Sequence, residues 1–316
     1  MREKKSFAER AKVLTSDEGK KKYYLVYEGE RTESLYFDAV NELKEEIRIN
    51  PLIELIPIVR SYSEEGWSNP RKILERIVQN IEEFQSGNIS YETLLNWIME
   101  YFQDQGYMAN NRPLKKSMWN TLIWICQEQL GVTLDKISGD PEGDCAKIVS
   151  SLKKETELEN LMKDVTKIIK YGKITFVEGF DKICFIVDRD KESFTASQYE
   201  YVLEQCRKRG FGFYVTNPCF EFWLLLHFND VVEINKEKLL ENPKVTAKQR
   251  YSERELRKRI PAYRKSKYDA KLLVKNIDSA IHNEAKFCED IVQLKEDVGS
   301  NIGLLICEMR TGSPEK

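Results

Sequence analysis

Two carboxylates close an apolar run: Lys182-Ile183-Cys184-Phe185-Ile186-Val187 is followed at once by Asp188-Arg189-Asp190. A β-branched run of that length reads as a buried strand. In open α/β sheets, ligands bind outside the carboxyl ends of the strands. Glu28 has the same placement, because Tyr23-Tyr24-Leu25-Val26-Tyr27 reads as a short strand and runs straight into Glu28-Gly29-Glu30-Arg31-Thr32-Glu33. Glu221 stands just past a third run, at 211–216, after Asn217-Pro218-Cys219-Phe220. Acids gathered at neighbouring strand ends repel one another unless they are protonated or neutralised. A Mg²⁺ ion, or Mn²⁺ in its place, removes that repulsion. Mg²⁺ prefers hard oxygen ligands, takes one or two protein carboxylates and keeps waters for a phosphate substrate. Metals so placed activate water and stabilise the leaving oxygen in phosphodiester cleavage. Arg31 and Arg189 lie in the same turns, where they can hold a phosphate bidentately or simply offset the acids. A lone Asp-x-Asp is also what an ordinary polar turn looks like, since turns favour Asp. The metal reading therefore requires the strands to be neighbours.

The elements that must position these residues can be read from periodicity. The first strand turns through Gly29 into a helix over 34–43, with Leu35, Phe37, Val40 and Leu43 as core positions and Thr32 as its N-cap. Residues 52–59 form a second strand, where Pro57 points to a sheet edge, and 71–84 an amphipathic helix. Residues 86–172 show no strand pattern and read as a helical insertion, with helices near 94–102, 119–125 and 145–169 and a loop at 139–143. Its aromatics are read as helix packing. After the Asp188 strand come a helix at 197–210 ending at a glycine, the strand at 211–216, an apolar helix at 222–228 in which His227 is a core residue, and helices near 270–287 and 302–309. The expected architecture is α/β: a mostly parallel sheet flanked by helices, with a helical insertion and a helical C-terminal region. Its parts are an N-terminal basic arm (1–22), a core (23–85 and 173–230), the insertion (86–172) and a basic C-terminal region (231–316).

Charge is distributed unevenly. The chain has 316 residues and a net charge of -2, so a nucleic acid can be met only by a local patch. Residues 244–275 hold twelve Lys/Arg against Glu253, Glu255 and Asp269, a local net of +9, with Tyr251, Tyr263 and Tyr268 interleaved. That concentration predicts a polyanion-facing segment, in which Arg257, Lys258, Arg259, Arg264, Lys265 and Lys267 grip phosphates. Seven scattered cysteines without a C-x-x-C pair and two histidines argue against a zinc site. No run approaches the ~18 apolar residues of a membrane span, and the charged start of the chain does not resemble a signal peptide. The expectation is a cytoplasmic protein with no membrane partner.

Three blocks together resemble a known family. Val26-Tyr27-Glu28-Gly29-Glu30-Arg31-Thr32-Glu33, Phe185-Ile186-Val187-Asp188-Arg189-Asp190 and Thr216-Asn217-Pro218-Cys219-Phe220-Glu221-Phe222-Trp223-Leu224-Leu225-Leu226-His227-Phe228 are similar to the RloB-like family, whose members include the TOPRIM subunits of AbiL-type abortive-infection systems. Gly299-Ser300-Asn301-Ile302 adds a looser match. The resemblance implies a TOPRIM-like core and a Mg²⁺-dependent nuclease. Glu28 would be general acid/base or metal ligand, and Asp188 and Asp190 metal ligands. Glu33 would be a further metal-side acid, and Glu221 a ligand or a support to one, with Asn217 beside it toward substrate. It also implies an ABC-type ATPase partner and a role as antiphage effector cutting RNA such as tRNA, or DNA. Self-assembly is left open. The insertion at 86–172 departs from the compact family pattern as read here. A non-catalytic binding subunit on the same scaffold is the alternative. No Gly-x-x-x-x-Gly-Lys-Ser/Thr loop is present, so ATPase activity would come from elsewhere.

Overall fold

The computed structural model describes residues 20–27, 32–58, 69–104, 112–155, 176–247 and 249–311. They fall into two compact units, one drawn from 1–58, 177–196 and 203–316, the other from 59–176 and 197–202. The first unit opens with β1 (Lys21–Tyr27), α1 (Thr32–Glu42) and β2 (Ile53–Ile58).

The second unit holds α2 (Pro70–Ser86), α3 (Tyr91–Asp104), α4 (Arg112–Trp124) and α5 (Pro141–Glu155). Leu94, Ile98 and Phe102 recur every four residues on one face of α3 and are fully buried, with Leu122, Ile148 and Leu152. The expected loop at 139–143 is instead the start of α5. Asp140 caps it by accepting from the Gly143 N–H at 3.0 Å, and Pro141 takes the first helical position, where no N–H is needed.

The chain then supplies β3 (Lys182–Asp188), α6 (Ala196–Arg209), β4 (Gly212–Asn217) and α7 (Phe220–Leu225). α8 (Lys236–Glu241) and a small hairpin of β5 (Lys244–Thr246) and β6 (Gln249–Arg250) lead into α9 (Tyr251–Arg259). The end is built from α10 (Ala270–Val274), α11 (Ile277–Glu284), β7 (Gly299–Ser300) and α12 (Ile302–Thr311). The helix expected over 270–287 is broken between α10 and α11. The Asn276 side-chain amide donates to Leu272 O at 3.3 Å, the local competition that makes Asn a poor interior helix residue.

The five-stranded sheet of the first unit has the order β2-β1-β3-β4-β7. β1, β2, β3 and β4 are parallel, and β7 lies antiparallel on β4. Pro57 sits on β2, an edge strand as expected. The inner strands carry long apolar runs, as strands of a parallel sheet do; Tyr23 to Tyr27 are all buried, as is the whole of β4. The Gly-Ser-Asn-Ile stretch finishes the other edge. Asn301 Oδ1 accepts from Val215 N at 2.6 Å and its Nδ2 donates to Phe213 O at 3.1 Å. A Cβ on Gly299 would lie 1.9 Å from the Cys288 carbonyl oxygen, so this close approach admits only glycine. Among the described residues no helix is long and apolar enough to cross a membrane.

Candidate active site at the carboxyl edge of the sheet

Register decides which acids share an edge. Tyr27 pairs with Ile186, and Asp188 pairs with Thr216, so the carboxyl ends of β1, β3 and β4 are adjacent. Glu28 and Arg31 lie outside the described residues. The residues on either side of that turn, Tyr27 and Thr32, are placed. Asp188 is half-buried at the end of β3, and its Oδ1 accepts from the Thr216 hydroxyl at 3.2 Å. Asp190, also half-buried, caps the following turn by accepting from Glu192 N at 3.0 Å. Glu33 is buried in the first turn of α1.

Glu221 is 3 % exposed on α7. Its Oε1 accepts from the Tyr263 hydroxyl at 3.1 Å and pairs with Lys265 Nζ at 3.1 Å, and the Cys219 thiol donates to the same carboxylate. Burial pushes the Glu221 carboxyl upward, but Lys265 and these hydrogen bonds outweigh it and hold the group ionised, below its ordinary value. The Glu221 charge in turn raises Lys265, with Cys219 and Asp188 adding to the push against desolvation. Burial, then the Glu221 and Asp188 charges, raise Cys219 well above an ordinary thiol. It is held as S–H and is no nucleophile at neutral pH.

A strap from the C-terminal region crosses this edge. Thr32 Oγ1 donates to Lys265 O at 3.2 Å, and the Tyr268 hydroxyl donates to Thr32 O at 2.7 Å. Arg264 and Lys267 exchange backbone hydrogen bonds at 3.1 and 2.8 Å, closing a tight turn that carries Lys265 and Ser266. Tyr263, Tyr268, Thr216 and Cys219 were not singled out by the sequence as site residues. The tyrosines flanking a basic tip are the one signal that pointed there, and they had been read as part of a polyanion-binding stripe.

Four of the expected contacts meet protein partners in the structure. Arg189 is 3 % exposed and turns inward, its Nε donating to Lys295 O at 2.9 Å and its Nη1 to Phe194 O. It ties the segment at 293–295 to the Asp188 turn and is not presented to a phosphate. Asn217 is fully buried and donates to Leu294 O at 2.8 Å, which makes it a second tie to the same segment and not a substrate contact. Glu221 Oε1 is engaged by the protein donors Tyr263 and Lys265.

The fourth concerns the basic helix. In α9, Arg257 pairs with Glu253, Lys258 with Glu255 and Arg259 with Asp230, bidentately at 2.9 and 2.7 Å. Arg254, also in α9, pairs with Glu255, and elsewhere in the segment Arg250 pairs with Glu192, Lys271 with Glu42 and Lys275 with Glu46. The pairs with Glu253 and Glu255 are already counted in the local +9; Asp230, Glu192, Glu221, Glu42 and Glu46, five acids from outside the segment, reduce it to +4. Among the described residues, Lys244, Arg264 and Lys267 have no ion pair, and all three are exposed. The cationic surface is therefore the tip at 264–267 and Lys244, not the helix.

Replacing Arg189 by methionine keeps the bulk of the stem and removes the donors to two buried carbonyls. The expected loss is about 2–4 kcal/mol, measured by denaturant unfolding; a change below ~0.5 kcal/mol would show that these bonds hold nothing.

Hard oxygen donors at Asp188 and Asp190 suit Mg²⁺, which needs only one or two carboxylates. Among the described residues no group of three or more His, Cys, Asp or Glu is spaced to hold a metal, so such an ion would rest on these two together with Glu28, outside the described residues. Two cavities open beside the edge. One, about 250 Å³, is lined by Arg189, Asp190, Pro218 and Arg250 among others. The other, about 260 Å³, is lined by Cys219, Glu221, Lys244, Gln249, Arg250 and Lys265 among others.

No match was found among curated proteins or among solved structures. The family model described as RloB-like protein matches residues 99–309, about two thirds of the chain. The match starts inside the helical segment at 86–172. It covers Asp188, Asp190, Glu221 and the strap, and it leaves Glu28 outside. On a match of this extent, the chain belongs to the RloB-like protein family.

Proposed function

We propose that this protein is a Mg²⁺-dependent nuclease with a TOPRIM-like core, acting on RNA such as tRNA or on DNA as the effector of an antiphage system, under an ABC-type ATPase partner. The observation that carries the reading is the register that sets the ends of β1, β3 and β4 side by side, with Asp188 on the middle strand. Asp188, Asp190 and Glu28 would hold the ion, which when bound supplies charge stabilisation and a more acidic water. Glu33, buried at the start of α1, adds negative charge on the same side. Thr216 orients the Asp188 carboxylate through its hydroxyl. Arg264, Lys267 and Lys244 draw the phosphate backbone to the edge. In hydrolysis a water oxygen forms the new bond to phosphorus and the bond to the leaving nucleoside oxygen breaks. The water proton passes to Glu28, and the leaving oxygen takes a proton from solvent.

Purified protein, alone and with the ATPase partner, is expected to cut labelled tRNA or plasmid DNA with Mg²⁺ or Mn²⁺ and to stop when EDTA removes the ion. No cleavage of either nucleic acid under all of these conditions would sink the nuclease reading. The second reading, a non-catalytic binding subunit, draws on the capture of Glu221, Arg189 and Asn217 by protein groups. It predicts nucleic-acid binding that neither Mg²⁺ nor the loss of Asp188 alters.

A further inference from the structure

Lys265 is the cation held at the Glu221 carboxylate. Its ammonium lies 3.1 Å from Glu221 Oε1, on the carboxylate nearest β4, while Asp188 ends the adjacent strand β3. Three features fix it there. Tyr263, two residues earlier, donates to the same Glu221 oxygen. The Lys265 backbone carbonyl accepts from Thr32, and the Arg264 and Lys267 backbones close the turn around it. The side chain is nonetheless 61 % exposed and lines the cavity of about 260 Å³ that it shares with Lys244, Gln249 and Arg250. A cation whose backbone is tied down and whose side chain is largely exposed can meet a phosphate without being rebuilt.

The carboxylates at this edge thus divide into two sets. Asp188 and Asp190 stand at the end of β3, the strand that pairs with β1. Glu221 is occupied by a hydroxyl, a thiol and an ammonium. A divalent ion on Glu221 would sit beside a fixed positive charge and would have to displace three hydrogen bonds to a carboxylate that is 3 % exposed. Both costs are avoided if the second cation is already part of the chain.

We propose that the site takes a single divalent ion, on the Asp188 side, and that Lys265 acts as the second cation, contacting a non-bridging oxygen of the scissile phosphate and offsetting the charge that builds there in the transition state. No proton leaves Lys265 in this role. The inference rests on the nuclease reading above but is tested without cleavage. Mn²⁺ binding is measured by electron paramagnetic resonance and by isothermal titration on the full-length protein, for wild type, Lys265→Ala, Lys265→Arg and Asp188→Ala. The expected result is one Mn²⁺ per wild-type chain and two in Lys265→Ala, where Glu221 is released, with a return to one in Lys265→Arg. Asp188→Ala is expected to lose the wild-type ion. Two ions in wild type would overturn the role of Lys265 while leaving a metal nuclease standing. One ion in both wild type and Lys265→Ala would overturn the exclusion of a second metal. No ion in any variant would remove this proposal together with the metal reading. A fold check by circular dichroism accompanies each variant, and Lys265→Met stands in if alanine unfolds the strap.

Discussion

Asp188→Ala is expected to lower cleavage by about 10³-fold or more, the scale seen when one preorganised electrostatic element is removed from an active site, while the protein still folds. The two halves of that expectation come from different observations. Asp188 is half-buried and terminal on β3, so truncating it opens no core cavity. The Thr216 hydroxyl, fully buried, loses an acceptor, at a cost of about 1 kcal/mol. Asp188→Asn separates charge from hydrogen bonding, because the amide oxygen can still accept from Thr216 while the negative charge is gone. It should unfold at nearly the wild-type denaturant concentration and cleave as poorly as alanine. Glu28→Gln belongs in the same series and should also lose cleavage. If Asp188→Asn cut nucleic acid at the wild-type rate, the carboxylate would be a turn residue and the nuclease would have to be sought elsewhere on the chain.

The acids at strand ends could be read in the sequence because a strand that stops at Asp is a local pattern. The return of the chain after more than a hundred intervening residues to place β3 beside β1 could not, and it became an expectation only through the pairing of two motifs. What composition misread was charge. Counting residues 244–275 predicts a cationic stripe, but Asp230, Glu192, Glu221, Glu42 and Glu46 reach it from other elements. Arg189 was misread for a related reason. A charged residue between two acids looks solvent-facing, yet here it meets the Phe194 carbonyl nearby and the Lys295 carbonyl more than a hundred residues away. Local competition accounts for smaller misses. Asp140-Pro141 looks like a turn until the helix that follows makes it a cap, and Asn276 interrupts a run whose periodicity alone is continuous. The basic tip at 264–267 is short, and its importance comes from the partners of Tyr263, Tyr268 and Lys265, none of which is near them in sequence.

Glu284 and His227 set opposite ends of the pH range in which this unit is stable. Glu284 is fully buried and accepts from Gly303 N at 3.0 Å; burial pushes its carboxyl from 4.5 to about 8. A raised carboxyl binds its proton more tightly folded than unfolded, so the stability it contributes is present below about 4.5 and is lost as pH rises to about 8. His227 is buried too, with its Nδ1 facing the Trp223 carbonyl at 3.1 Å and the Tyr36 hydroxyl at Nε2, 3.0 Å. Burial lowers its pKa from 6.5 to about 4, so it favours folding above 6.5, and that contribution is lost as pH falls toward 4. Between 4.5 and 6.5 the two slopes oppose each other. Above 6.5 only Glu284 still titrates, and the 1.5 pH units up to about 8 correspond to a loss of about 2 kcal/mol, or roughly 4–8 °C in Tm. Glu284→Gln keeps an acceptor for Gly303 and has no charge to bury. Thermal unfolding of this variant should be nearly flat from pH 6.5 to 8.5 and should exceed wild type at the alkaline end. His227→Gln should leave the alkaline decline intact and soften the acid one. An alkaline decline that persists unchanged in Glu284→Gln would place its origin in another group and show that Glu284 is accommodated as a carboxylate.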